Sequence, residues 1–281
     1  TPRHGTFVTS DPMLNRLYQN MCWTQRANFF EVPTDCPQRD ERMGWTGDAQ
    51  IYVRAATFNA DISAFYTKWL RDLNDDAWDY GAYPAYAPRP LARPNEHHAA
   101  GWMDAGVICP WTIWQVYGDT RVIAEHWQKM NDFMAWRKLR DPALTGATDD
   151  CGFGDWLSVG NVKTPIPFID LAYHAYDARL IAEMATAIGK PAEAANYMAH
   201  AAKVTAAFQK LYLSAEAKLS IHNQSAYAIA LFFDLIPAGQ RAAAAGHLAD
   251  LVKENGDKMT TGFLGTRPLL PALSATGHHD L

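Results

Sequence analysis

The chain has 281 residues, 48% of them apolar, enough to furnish the core of one large domain and incompatible with disorder as the main state. Its 25 basic and 30 acidic side chains leave 25 − 30 = −5 at neutral pH with no Lys/Arg block, which argues against nucleic acid or an anionic membrane as a partner. No run of about eighteen apolar residues occurs, so no membrane-spanning helix is expected.

From Asp11 the spacing of Leu14, Leu17, Tyr18, Met21 and Cys22 predicts a helix over 11–28, with Ser10 or Asp11 as its N-cap. The segment 31–47 holds two prolines, two glycines and a Thr34-Asp35 pair, and so reads as an irregular loop. Gly47-Asp48 opens a helix over 48–59, which Asn59-Ala60-Asp61 ends. Ile62, Phe65, Tyr66, Trp69, Leu70 and Leu73 define an amphipathic helix over 62–75, followed by a proline-rich loop from Tyr83-Pro84 to Pro94-Asn95. Next come a helix over 102–117, stopped by Gly118-Asp119, and one running to about 140 with Ile123, Trp127, Met130, Phe133, Met134 and Trp136 on its buried side. The stretch 141–166 has no sustained period and is rich in Gly, Asp and Pro; loops of that length are functional or disordered, and Phe153 and Trp156 argue for function. Five further helices are expected over 168–188, 192–213, 223–234, 238–255 and 265–276, with Asn223-Gln224 as a cap. Ten helices with hardly a credible strand make an all-α chain, and the absence of a fixed repeat disfavours a solenoid against a closed toroid.

Cys22, Cys36, Cys109 and Cys151 form no C-x-x-C pair, so neither a zinc site nor a redox motif is expected. Cys22 and Cys109 sit in apolar helical context and read as buried thiols. A disulfide framework would be unusual at this size, which favours a cytoplasmic or periplasmic setting over a disulfide-dependent extracellular one. The pairs His97-His98 and His278-His279 lack a third ligand and read as loop histidines, so no metal or cofactor is implied. The chain begins Thr1-Pro2-Arg3-His4, with no Met and no signal-peptide pattern, and reads as an excised or processed piece.

The loop before the second helix concentrates the chemistry. It packs Asp35, Asp40, Glu41 and Asp48, Arg39 and Arg42, and Trp45 into fourteen consecutive positions, Asp35 to Asp48. Taken alone, residues 39–42 read as a solvated helix entry, yet a Trp beside two glycines adds the flat apolar surface that a sugar site needs next to carboxylates and arginine. The run Asp35-Cys36-Pro37-Gln38-Arg39-Asp40-Glu41-Arg42-Met43-Gly44-Trp45-Thr46-Gly47-Asp48-Ala49-Gln50 resembles the signature of bacterial α-L-rhamnosidases of glycoside hydrolase family 78. The resemblance continues through Gly101-Trp102-Met103-Asp104-Ala105, Gly154-Asp155-Trp156-Leu157 and Thr260-Thr261-Gly262-Phe263-Leu264-Gly265-Thr266, and so covers essentially the whole chain.

That resemblance implies a six-hairpin (α/α)6 toroid, residues 1–281 forming a single catalytic domain with about ten of its twelve helices, and β-rich domains of the parent enzyme on either side. It implies removal of terminal α-L-rhamnose from glycosides or oligosaccharides with inversion, Glu41 being the general acid. Asp35, Arg39 and Asp48 match positions that bond the sugar hydroxyls, Trp45 one that packs on the ring, and Trp102 with Asp104 and Asp155 with Trp156 pairs that line the pocket. Inverting enzymes also need a second carboxylate about 6.5–9.5 Å away to activate water. The family's base falls beyond Leu281; within the chain Glu96 and Asp150 are the nearest substitutes. With the closing hairpin absent, the first and tenth helices should keep uncovered apolar faces, Leu269, Leu270 and Leu273 among them. Trp102 and Trp156 read alone as core at least as readily as ligand platforms. Competing readings are a glucoamylase-like or trehalase-like inverting glycosidase, a catalytically silent sugar-binding domain, and, with less support, an epimerase or lyase, because fold alone does not fix chemistry.

Overall fold

A computed structural model describes residues 5–89, 98–146 and 152–281. Among them are ten α-helices: α1 (Pro12–Asn28), α2 (Thr46–Asn59), α3 (Ser63–Asp75), α4 (Ala105–Tyr117), α5 (Arg121–Arg140), α6 (Ile166–Ala187), α7 (Pro191–Tyr212), α8 (Gln224–Phe232), α9 (Arg241–Glu254) and α10 (Phe263–Ala275). Extended pairing in the described residues is confined to three isolated bridges. No described helix is long and apolar enough to cross a membrane.

The ends obey local chemistry. Asp11 caps α1 by accepting from the amides of Met13 (2.7 Å) and Leu14 (3.4 Å), Pro12 following in the first turn, where its missing N–H costs nothing. Asn223 caps α8 through the Ala226 amide at 2.8 Å. Gly118 ends α4 in the left-handed conformation, φ 69°.

The chain forms two compact units, Thr1–His98 with Trp102–Trp136, and Ala99–Gly101 with Arg137–Leu281. In the first, α2 and α3 both pack on α4. In the second, α6 packs on α7, and α8 on α9 and α10. Burial differs sharply between the two helices of a hairpin. α6 buries 16 of its 22 residues, whereas α7, equally long, buries Tyr197, Ala201, Val204 and Phe208, a single stripe at helical spacing. An all-round buried helix must satisfy any charge it carries inside. Arg137 accordingly bonds Asp177 Oδ2 at 3.0 Å and Asp170 Oδ1 at 3.1 Å, all three side chains being at most 5% exposed.

Two expectations about uncovered faces divide. On α1 Met13, Leu14, Leu17 and Met21 are exposed. On α10, however, Leu269 and Leu273 are buried and Leu270 alone is open, at 64%. The reason is spacing: Gly265, Leu269 and Leu273 share the face turned toward α8 and α9, and Leu270 points the other way.

Of the candidate site residues, Asp35, Arg39, Glu41 and Trp45 lie in the irregular segment before α2, Trp102 and Asp104 in that before α4, and Asp155 and Trp156 in that before α6, whereas Asp48 lies in the first turn of α2. The fourth helix starts at Ala105 rather than 102, so Trp102 and Asp104 belong to the approach to the helix.

Candidate active site

In the first unit the loop 35–45 folds back on itself. The Asp35 amide donates to the Met43 carbonyl at 3.0 Å, and the Met43 amide returns to Asp35 Oδ1 at 2.9 Å. This clasp turns residues 36–42 into a closed loop, with Arg42 at φ 51°, and brings Asp35 and Glu41 to the same guanidinium. Arg39 donates from Nε to Glu41 Oε2 at 2.8 Å and lies 3.5 Å from Asp35 Oδ2. The other Glu41 oxygen accepts the indole N–H of Trp45 at 2.9 Å. Trp45 in turn meets Tyr86 edge-on, ring centres 5.3 Å apart, where the two residues form an antiparallel bridge. Asp40 is fully exposed, and pairs only loosely with Arg42 at 3.5 Å.

Asp48 has the most perturbed carboxyl of this loop. Burial, reinforced by the like charges of Asp35 and Glu41 and opposed by Arg39, pushes it up to about 7. Cys36 is buried beside them, and burial together with its bond to Asp35 pushes the thiol up. Asp35, Cys36 and Glu41 could offer three ligand atoms within 4.8 Å of one another to a cation. The guanidinium of Arg39 already supplies positive charge to both carboxylates.

Trp102 is only 4% exposed and Asp104 wholly buried. The indole of Trp102 lies flush against Gly47, where a Cβ would come within 2.6 Å of it. Gly47 therefore lets an aromatic ring pack on the first turn of α2, next to Asp48. His98 bonds the Tyr80 hydroxyl at 3.0 Å and meets Trp136 edge-on. Glu96, Asp150, His97 and Cys151 lie outside the described residues.

In the second unit Asp155 is buried and Trp156 half-exposed. Both Asp155 oxygens are engaged: Oδ1 by the amides of Leu264 (2.9 Å) and Gly265 (3.0 Å), Oδ2 by the Gly262 amide (2.8 Å) and the Ser225 hydroxyl. Asp155, which the resemblance places with Trp156 in the lining of the pocket, thus also holds Ser225, a residue that the sequence marks only by its place two positions after the cap residue Asn223.

Carboxylates, an arginine and partly open indoles on loops that lead into helical hairpins are the equipment of an all-α glycosidase-type domain. The chain belongs to the family described as bacterial α-L-rhamnosidase six-hairpin glycosidase domain, whose match spans residues 2–281. An α-L-rhamnosidase of Streptomyces avermitilis is 41% identical over 98% of the chain, and the chain spans 26% of that protein. Among solved structures, an S. avermitilis α-L-rhamnosidase complexed with L-rhamnose matches with a TM-score of 0.94 at 40% identity, over 99% of this chain and 26% of that one. Native α-L-rhamnosidase from Aspergillus terreus matches with a TM-score of 0.92 at 32% identity, over 99% and 33% respectively.

Proposed function

We propose that the protein hydrolyses terminal α-L-rhamnose from glycosides or oligosaccharides by an inverting single displacement, with Glu41 as general acid. The observation that carries this reading is the Glu41 carboxyl itself, oriented by Arg39 on one oxygen and Trp45 on the other. A proton donor must be held in one direction to meet the leaving oxygen, and two fixed hydrogen bonds supply that constraint. Asp35 and Arg39 offer an acceptor and donors for sugar hydroxyls, and the Trp45 ring an apolar wall for the 6-methyl group of rhamnose. The similarity to relatives named as α-L-rhamnosidases, one of them holding L-rhamnose, supports the choice of sugar.

A second reading of the acid has its own observation: Asp48 is the carboxyl pushed up to about 7, and so keeps its proton near neutrality. Glu41→Gln and Asp48→Asn in the intact protein separate the two. Loss of a positioned acid lowers kcat by about 10²–10⁴-fold on a rhamnoside with a poor leaving group, and by far less on p-nitrophenyl rhamnoside, whose phenolate departs without protonation. The variant showing that contrast identifies the acid. Release from p-nitrophenyl glucoside but not rhamnoside would overturn the choice of sugar.

A further inference from the structure

The Asp155 carboxylate accepts four hydrogen bonds from distant parts of the chain. It sits at the start of α10, whose N-cap residue Gly262 has no side chain with which to cap. The open amides of Gly262, Leu264 and Gly265 are met instead by a carboxylate from more than a hundred residues earlier, and Ser225 of α8 donates to the same group. A carboxylate has about four lone-pair sites, so these four donors leave none for a sugar hydroxyl. The close approach is built into the chain, because a Cβ at Gly262 would come within 2.4 Å of the Asp155 carbonyl oxygen. The neighbouring Phe263 amide donates to the Trp156 carbonyl at 2.7 Å, so the backbone of 155–156 is fastened to that of 262–263. Beyond the fastening, the Trp156 ring touches Phe153 edge-on at 6.0 Å and is otherwise half open.

We propose that Asp155 is a positioning residue, which locks the start of α10, the start of α8 and its own loop together and thereby fixes the exposed Trp156 ring as a platform for the apolar side of the substrate. This rests on the rhamnosidase reading, and the tests are chosen so that the two can fail separately. Asp155→Asn in the intact protein replaces an acceptor with an amide donor facing backbone amides. KM for a rhamnoside is expected to rise about tenfold or more with a smaller change in kcat, because a displaced platform weakens binding more than chemistry. Hydrogen exchange at residues 262–265 is expected to lose protection in the same variant. Ser225→Ala, which removes one donor and leaves the carboxylate, should shift KM in the same direction by a few-fold, and it serves if Asp155→Asn does not fold. Wild-type KM in a folded Asp155→Asn or in Ser225→Ala overturns the proposal, as does a loss confined to kcat. If the wild-type protein releases no rhamnose, the functional reading fails alone, and hydrogen exchange still decides the clamp: unchanged protection at 262–265 in Asp155→Asn overturns it, and lost protection supports it.

Discussion

The indole N–H of Trp45 donates to Glu41 Oε1 at 2.9 Å, so the aromatic wall and the proposed acid are held as one piece. Trp45→Phe keeps a ring and removes the donor. A hydrogen bond to a charged group contributes about 1.5–3 kcal/mol, and even part of that lost from a positioned acid should lower kcat by about tenfold. Steady-state kinetics check this, with KM expected to move less than kcat because a ring remains against the sugar. An unchanged kcat would reduce Trp45 to a wall.

Asp48 ties stability to pH. Its carboxyl is raised from an ordinary 3.8 to about 7, chiefly by burial. Below about pH 4 both folded and unfolded chains hold the proton and the group contributes nothing; between about pH 4 and 7 the unfolded chain releases it while the folded chain keeps it, so folding becomes progressively less favourable as pH rises. Asp48→Asn should therefore melt higher than wild type at about pH 8, by an amount on the order of 1–4 kcal/mol, and equally at about pH 4. Thermal melts at the two pH values decide it; a stability difference that does not depend on pH would show that the carboxyl is not raised.

Much of this arrangement could be read before any coordinates. Helical periodicity located all ten helices, since stripes such as Tyr197, Ala201, Val204 and Phe208 survive in the folded chain as buried faces. The loop 35–48 was visible because its prolines, glycines and charges are consecutive, and its clasp, Asp35 to Met43, is a local contact. The surroundings of Asp155 were not legible, because three of its donors come from residues 107 to 110 positions later and the fourth, Ser225, from 70 positions later, which no local pattern records. Trp102 is buried with its indole against Gly47, a contact between residues far apart in sequence that no local pattern records. Leu270 and Leu269 differ in exposure although adjacent, because the partner face of α10 is set by α8 and α9.

Gly47→Ala probes that packing. The added methyl would lie 2.6 Å from the Trp102 indole, closer than atoms tolerate, so the ring or the first turn of α2 must shift. Overpacking of this kind costs about 1–3 kcal/mol. Because Asp48 is the next residue, KM for a rhamnoside should rise together with the fall in melting temperature. Wild-type stability in the variant would mean that the ring moves aside freely.

His174 and His200 form a pair of rings remote in sequence from the proposed chemistry. Nε2 of His174 and Nε2 of His200 lie 2.9 Å apart, so one imidazole must carry a hydrogen on that atom and the other must accept it. Burial lowers both, His174 well below the ordinary range and His200 to about 4, and the cations Arg137 and Lys138 act on both in the same direction, with Lys203 adding to the effect on His200. At about pH 8 neither folded nor unfolded chain protonates these rings, and they have no effect on stability. As pH falls from about 6.5 to 4, the unfolded chain takes up protons that the folded pair refuses, so stability is lost through that window. Asp48 acts in the opposite sense over the same range, and the comparison must therefore be variant against wild type at each pH. His200→Gln keeps a donor and an acceptor in reach of His174 but removes one of the two titrating rings. Its melting temperature should fall less than that of wild type between about pH 7.5 and 4.5, as followed by thermal melts in matched buffers. An equal fall in both proteins would show that acid destabilisation arises elsewhere, and that the two histidines are a neutral hydrogen-bonded pair of purely structural weight.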